Sequence, residues 1–268
     1  MSSTWFRVSR TRRCEICNKP DWCTYTDDGA SCCMRVESQK KMSNRGWLHR
    51  SESIKPLPIR EARIEKPTPP PNWSELVTRW RSSTSTARLI TLAESLGVDP
   101  IALDLLTVSW AKEHDAWSFP MRDASGNLIG VRLRSPMGDK WAVKGSKNGL
   151  FTATMTAKPT LFVCEGATDA AAMLTMGFFA IGRPNCSANP EMIVDFVRHN
   201  RVRRVVIIPD NDEHGAGQIG ANELQAMLRV PSLQWMPSTK DVREFLKAGG
   251  DAELITGTIK DLAWEIPK

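Results

Sequence analysis

The sequence predicts an α/β protein whose C-terminal part is a mostly parallel sheet covered by helices. Three observations carry this prediction. Apolar strands alternate with amphipathic helices from residue 159 onward, a strand-rich segment precedes them, and five cysteines cluster near the N-terminus. Parallel strands need crossover connections, so regular alternation of strands and helices is typical of a parallel sheet. A chain of 268 residues can form more than one module.

Four segments differ in composition, and we interpret them as separate domains or linkers. They are a cysteine-rich basic segment at 1–50, a proline-rich linker at 51–72, a helical pair with strands at 73–158, and the α/β domain at 159–268. Consecutive prolines with no apolar period favour an extended, semi-rigid linker.

The segment before the α/β domain combines two helices with an antiparallel meander. Helical spacing of apolar residues runs over 86–96, stops at Gly97, and resumes after Pro100. Shorter apolar runs separated by turn formers predict strands at 117–121, 128–133 and 140–143. We therefore expect an α+β module here.

The α/β domain is predicted to contain four strands and four helices. The strands are expected at 161–164, 178–181, 205–209 and 233–236, and the helices at 168–176, 191–199, 217–228 and 241–247.

The net charge of +6 is concentrated in the N-terminal part of the chain. Residues 1–72 contain 14 Lys/Arg and 8 Asp/Glu, whereas the remainder contains 22 of each. Such a basic arm attracts polyanions such as nucleic acid. There is no apolar stretch of the roughly 20 residues that a membrane span needs, nor an N-terminal apolar signal segment. We therefore expect a cytoplasmic protein without a membrane partner.

The clustered cysteines predict a structural zinc site. A cytosolic chain with an odd number of cysteines does not fit a secreted disulfide framework. A closed zinc site takes four ligands, and a C-x-x-C pair can place two sulfurs on one ion. Cys32 remains an alternative to the fourth ligand, and His49 is disfavoured because it lies far downstream. The expected ligands are Cys14, Cys17, Cys23 and Cys33.

Acidic residues follow three of the predicted strands. The carboxyl ends of neighbouring parallel strands face one crevice, so these side chains are expected to converge. Like charges held together favour a cation between them, and Mg²⁺ or Mn²⁺ prefers such oxygen ligands. Two such ions can support phosphoryl transfer. The residues are Glu165, Asp169, Asp210, Asp212 and Asp241.

A glycine pattern at 215–220 matches the dinucleotide fingerprint G-x-G-x-x-G. That fingerprint should follow its strand immediately, so that a pyrophosphate meets the helix N-terminus. Here polar and acidic residues intervene, and they would repel phosphate in the absence of metal. We therefore reject a dinucleotide site.

The pattern E-G-x-x-D after one strand and D-x-D-x-x-G after another resembles the TOPRIM domain of primases, topoisomerases and some nucleases. The resemblance covers roughly residues 159–250. It implies that Glu165 is a general acid/base, that Asp210 and Asp212 bind the divalent metals, and that Asp169 supports the cluster. Replicative primases carry two further acids where this chain has Lys240-Asp241, so Asp241 is expected to complete the metal site alone.

The order of cysteine module, linker, helical pair, strand module and TOPRIM domain resembles the bacterial primase plan. The resemblance implies a zinc ribbon over 1–50 and a primase-core module over 73–158. It also implies that basic residues of the strand module bind template and nucleotide. These are Arg132, Arg134, Lys140, Lys144 and Lys147. A topoisomerase needs a tyrosine nucleophile, and the sole tyrosine, Tyr25, lies within the cysteine cluster.

The sequence therefore predicts a DNA primase that makes short RNA primers on single-stranded DNA from NTPs, using structural zinc and catalytic magnesium or manganese. A separate replicative helicase is a further expected partner. Trp22 or Trp47 could stack on template bases. Two alternatives remain open at this stage: a non-catalytic DNA-binding protein resembling recombination mediators, and a TOPRIM nuclease that uses the same metals to cut.

Overall fold

The computed structural model describes residues 4–42, 46–50, 71–212 and 215–266. The chain divides into two compact units, Met1–Pro67 and Thr68–Lys268. The expected linker at 51–72 lies outside the described residues except for its last two positions. No helix within the described ranges is long and apolar enough to cross a membrane.

The N-terminal unit is a four-stranded antiparallel sheet in the order β1-β2-β3-β4. Its strands are Phe6–Arg7, Thr24–Tyr25, Ala30–Cys33 and Trp47–Arg50. The apolar interior is small. Val8 packs against three buried cysteines, Cys14, Cys23 and Cys33. A module with so little apolar core usually depends on a metal or disulfides for its stability.

Three helices open the second unit, α1 Trp73–Ser82, α2 Thr86–Leu96 and α3 Pro100–Leu105. Each begins after a residue whose side chain accepts a backbone N–H of the first turn, namely Asn72, Ser85 and Asp99. Gly97 ends α2 with φ of 70°, in the left-handed region that glycine adopts without strain.

An antiparallel sheet in the order β5-β6-β7-β8 follows these helices. Its strands are Ser109–Ala111, Ala116–Arg122, Leu128–Arg134 and Lys140–Ala142. Alternate residues of β7 face opposite sides. Val131 and Leu133 are buried against α1, whereas Arg132 and Arg134 lie on the other face.

The second sheet of this unit has five strands in the order β13-β12-β10-β11-β9. The four strands β10 to β13 are joined by three parallel pairings, and β9 adds an antiparallel edge. The strands are β9 Phe151–Thr152, β10 Thr160–Glu165, β11 Ala180–Arg183, β12 Arg204–Ile207 and β13 Ser232–Gln234.

Helices cover both faces of this sheet, as the apolar strands require. Leu161 and Val163 of β10 pack into one core cluster, and Phe162 and Cys164 into the other. Strands buried on both faces are typical of parallel sheets. The helices are α4 Ala167–Thr175, α5 Pro190–His199, α6 Ala216–Met227, α7 Val242–Lys247 and α8 Ala252–Lys260.

The mixed α/β fold class predicted from the sequence is confirmed. Helix α2 has the predicted bounds, and every strand and helix expected between 159 and 250 is present, with bounds shifted by a few residues. The sequence interpretation did not include α1, β5, β9 or α8. Strand β9 comes from the segment assigned to the preceding module, but it pairs with β11 of the parallel sheet.

Candidate functional site

Four cysteines of the N-terminal unit form a group suited to a metal ion. The ligand atoms of Cys14, Cys17, Cys23 and Cys33 all lie within 4.8 Å of one another. Cys23 immediately precedes β2, and Cys33 ends β3, its antiparallel partner. The arrangement fits a closed tetrahedral zinc site, which takes four thiolates.

Backbone amides point at the cysteine sulfurs. The N–H groups of Arg35 and Val36 donate to Cys33 Sγ at 3.4 and 3.3 Å, and the N–H of Met34 donates to Cys23 Sγ at 3.4 Å. Donors of this kind stabilise the negative charge of thiolates. Burial raises the pKa of Cys23 to about 12. The thiolate form of Cys23 therefore needs a cation beside it.

Cys33, and not its neighbour Cys32, belongs to this group. Both are buried on β3, but successive side chains of a strand point to opposite faces. Gly46 lies against the cysteine site, since a Cβ at Gly46 would stand 2.3 Å from the carbonyl oxygen of Cys33. His49 is outside the group, and its Nε2 lies 3.1 Å from the carbonyl oxygen of Val36.

The predicted acidic residues meet at the carboxyl edge of the parallel sheet. Glu165 is the last residue of β10, and Asp210 follows β12, the neighbouring strand. The backbone N–H of Asp210 donates to Glu165 Oε1 at 3.4 Å. Asp241, after β13, accepts the N–H of Glu244 at 2.8 Å and so caps α7. Asp169 lies buried in the first turn of α4.

The other predicted carboxylates all contribute to the raised pKa of Asp210. Burial, followed by the charges of Asp169, Glu165, Asp241 and Asp212, raises the pKa of Asp210 to about 7. Burial and the charge of Asp241 raise the pKa of Asp169 to about 6. The charges of all four other carboxylates therefore act on Asp210.

Asp212 differs from the others because it also caps a helix. Its two carboxylate oxygens accept the N–H groups of Ala216 and Gly217 at 3.1 and 2.9 Å. These are orphan donors at the start of α6, and the carboxylate lies at the positive end of the helix dipole.

The absence of a side chain at Gly217 brings α6 close to the acidic residues. A Cβ there would stand 2.6 Å from the Asp210 carbonyl oxygen and 2.9 Å from Glu165 Oε1. Gly217 of the 215–220 pattern thus allows close packing beside the acidic residues.

These carboxylates fit divalent metals bound with water and phosphate, and not a closed protein cage. Within the described ranges, the four cysteines are the only group of three or more His, Cys, Asp or Glu residues whose ligand atoms lie within 4.8 Å of one another. Mg²⁺ usually keeps several waters and uses one or two carboxylates together with substrate phosphates. Several buried carboxylates whose pKa values are raised by one another need positive charge, which supports such an assignment.

Two arginines that the sequence interpretation did not single out accompany the acids. Arg183 at the end of β11 stands in register with Glu165, and its Nη2 lies 3.6 Å from Glu165 Oε1. The backbone N–H of Arg243 donates to Asp169 Oδ1 at 3.3 Å, and its Nη2 lies 3.6 Å from Asp241 Oδ2. Only the strand order, which sequence reasoning did not supply, places Arg183 beside Glu165.

A basic pocket adjoins the acidic residues. Its lining includes Arg132, Arg134 and Lys140 of the antiparallel sheet, together with residues 166–168 at the N-terminus of α4. Partial burial, followed by the charge of Arg134, lowers the pKa of Lys140, whereas the charge of Asp169 opposes this effect. Lys140 therefore faces both the basic and the acidic group. Lys144 and Lys147 do not line this pocket.

The pocket offers several donors to an anion. Gly166, at the N-cap of α4, supplies no side-chain hydrogen bond to the first amides of the helix, and amides at such a position suit an anion. The buried Nε of Arg132 has no hydrogen-bond partner among the described residues. A phosphate bound here would be held between cationic side chains and helix amides, next to the carboxylates.

The fold that these elements form is similar to that of solved bacterial and phage primases, as the sequence resemblance implied. Among solved structures, the DnaG primase catalytic domain bound to single-stranded DNA superposes with a TM-score of 0.55 at 14% identity, covering 72% of this chain and 78% of that one. The likeness is one of fold.

Two further solved structures have a similar fold. The primase fragment of the bacteriophage T7 primase-helicase protein gives a TM-score of 0.53 at 18% identity, covering 94% of this chain and 99% of that one. The zinc-binding and RNA polymerase domains of the Aquifex aeolicus primase give 0.57 at 15% identity, covering 72% and 60%. No protein-family model matches the sequence, and no curated protein matches it.

Proposed function

We propose that this protein is a DNA primase that synthesises short RNA primers on single-stranded DNA. The observation that carries the proposal is the meeting of Glu165 and Asp210 at the ends of neighbouring strands, with the basic pocket alongside. Carboxylates beside a pocket lined by Arg132, Arg134 and Lys140 suit nucleotidyl transfer. The primase fold supports the same conclusion.

Divalent ions at the acidic residues would neutralise the triphosphate and favour attack of a 3′-hydroxyl on the α-phosphate, with cleavage of the α–β bond and release of pyrophosphate. One or two carboxylates, together with water and phosphate oxygens, would hold each ion, and the ligands would come from Glu165, Asp169, Asp210, Asp212 and Asp241. Arg132, Arg134 and Lys140 bind and orient the phosphates of nucleotide and template, and the amides at the start of α4 add hydrogen bonds. Positioning and charge neutralisation would supply most of the rate enhancement.

The N-terminal unit, with zinc at its four cysteines, would bind the template strand. Trp22 is 75% exposed, and Arg35 lies 5.3 Å from its ring, which offers a surface for a base to stack on. In this proposal residues 1–50 are the template-binding domain, 51–72 the linker, 73–158 the first part of the primase core and 159–268 the TOPRIM domain. Replication in the cytoplasm and cooperation with a separate helicase follow from the same proposal.

Primer synthesis on single-stranded DNA tests the proposal directly. Purified protein, labelled NTPs and Mg²⁺ or Mn²⁺ should give short oligoribonucleotides. Glu165→Gln and Asp210→Asn should each reduce the product at least about 100-fold, in line with the loss of a group that stabilises the transition state. Asp195→Asn, which changes an exposed carboxylate on α5, serves as the matched control and should keep full activity.

The same reactions separate the proposed activity from its alternatives. Cleavage of the DNA without new oligonucleotides would identify a nuclease, and DNA binding with neither activity would identify a non-catalytic binding protein.

A second test concerns the nucleotide site. Arg134→Ala and Lys140→Ala should raise the KM for NTPs by about tenfold, which corresponds to the loss of one charge-assisted contact.

A further inference from the structure

Arg183 is a buried cation next to the candidate metal site. Its side chain is 1% exposed, and the parallel register of β10 and β11 places it opposite Glu165. Nη2 lies 3.6 Å from Glu165 Oε1, the oxygen that also accepts the N–H of Asp210. The guanidinium therefore lies at the same carboxylate that the proposed function assigns to a divalent ion.

The guanidinium is held there with few hydrogen bonds of its own. Nη1 donates to the carbonyl oxygen of Gly220 at 3.3 Å, whereas Nε and Nη2 have no hydrogen-bond partner among the described residues. A Cβ at Gly220 would stand 2.1 Å from the carbonyl oxygen of Cys186, so α6 closes tightly over this region. Burying a charge with unsatisfied donors is costly unless nearby opposite charge stabilises it.

That opposite charge comes from the acidic residues. The carboxylates of Glu165 and Asp210 both attract the Arg183 guanidinium. In the metal-free protein, Arg183 is thus a source of positive charge that keeps these carboxylates together. A divalent ion at Glu165 would approach the same guanidinium, and like charges a few ångströms apart repel in a partly buried site.

We propose that Arg183 is a fixed counter-charge of the acidic site, which stabilises the metal-free protein and weakens divalent-metal binding at Glu165. A triphosphate that arrives with its own metal ion brings the negative charge that offsets this repulsion. The inference rests on the metal site of the proposed function but does not depend on primer synthesis.

Manganese binding, followed by electron paramagnetic resonance of the free ion, tests the inference without an activity assay. Full-length Arg183→Met, which keeps most of the side-chain volume but removes the charge, should bind Mn²⁺ at least about tenfold more tightly than the wild type. Arg183→Lys keeps the charge and should stay within about threefold of the wild type. Arg198→Met removes an exposed arginine of α5 and should leave the affinity unchanged.

Thermal unfolding of the same variants provides the second half of the test. Without added divalent ions, Arg183→Met should unfold at a lower temperature than the wild type, and saturating Mn²⁺ should raise its midpoint by more than it raises that of the wild type. If Arg183→Met does not fold under either condition, Arg183→Gln, which can still donate to the Gly220 carbonyl, replaces it in both measurements.

The outcomes separate this inference from the proposed function. Unchanged or weaker Mn²⁺ binding in the charge-removing variant would overturn the counter-charge, even if the wild type makes primers. Tighter Mn²⁺ binding in that variant supports the counter-charge, even if no primer is made and the proposed function fails.

Discussion

Two adjacent buried cysteines on β3 differ in their expected response to substitution. Cys33 belongs to the four-sulfur group and Cys32 does not. Cys33→Ala should therefore abolish zinc binding and unfold the N-terminal unit, because structural zinc supplies much of the folding free energy of small modules. Cys32→Ala should retain one zinc per chain. The zinc content of each variant is measured by releasing the ion with acid or oxidant and binding it to a colorimetric chelator. Equal zinc loss in the two variants would contradict the assignment of Cys33 as the ligand.

Asp210 makes stability depend on pH in a direction opposite to that of an ion-paired carboxylate. Its pKa is raised from 3.8 to about 7 in the folded protein. Between these values the folded state binds more protons than the unfolded state, so the metal-free protein loses stability as pH rises from about 4 to 7. Asp210→Asn should remove this contribution.

The measurement is the difference between urea-unfolding free energies of wild type and Asp210→Asn, taken without added divalent ions from pH 4 to 8. The advantage of the variant should grow as pH rises toward 7 and then level off. In saturating Mn²⁺ the order should reverse, because the ion stabilises the ionised wild-type carboxylate. A difference independent of pH would show that Asp210 is not buried among other carboxylates.

Two helical glycines, one closely packed and one in open space, should respond differently to replacement by alanine. Gly217 has the Asp210 carbonyl within 2.6 Å of a hypothetical Cβ, whereas Gly257 of α8 has nothing within 4 Å. Gly217→Ala should cost about 1–3 kcal/mol through overpacking and should weaken Mn²⁺ binding by displacing α6. Gly257→Ala, the matched control, should instead stabilise by about 0.5–1 kcal/mol through helix propensity. Denaturant unfolding of both variants gives the signs.

At the scale of elements, local sequence patterns predict most of the helices and strands. The remaining elements depend on the pairing of strands that are distant in sequence. The apolar period of 86–96 and the stop at Gly97 define α2 without tertiary information. Helix α1 carries a comparable signal, with buried Trp73, Val77 and Trp80 after an Asn72 cap, but the proline-rich composition preceding it hid the pattern. The two residues of β9 are too few to show a period.

In the candidate site, too, some features follow from local sequence and others depend on which strands are neighbours. Glu165 and Asp210 could be predicted to meet because both follow apolar strands of one parallel sheet. Arg183 also ends a strand, but its proximity to Glu165 depends on β11 lying next to β10, and local sequence does not encode strand order. The second role of Asp212, as the cap of α6, depends on where that helix begins.

For the whole molecule, charge placement predicts how template binding depends on salt. The net charge of +6 comes from the N-terminal part of the chain, and Arg7, Arg10 and Lys19 are exposed there. If these side chains contact phosphates, their replacement by Ser should reduce the slope of log binding constant against log salt by about 2, since each single-strand contact contributes about 0.7. Fluorescence anisotropy with a labelled single strand from 50 to 300 mM KCl (roughly the range in which such contacts are screened) measures this slope.

The control replaces three exposed basic residues of the second unit, Arg198, Arg201 and Lys260, by Ser and lowers the net charge equally. An equal reduction of the slope in both triple variants would mean that overall charge, and not the N-terminal unit, attracts the template.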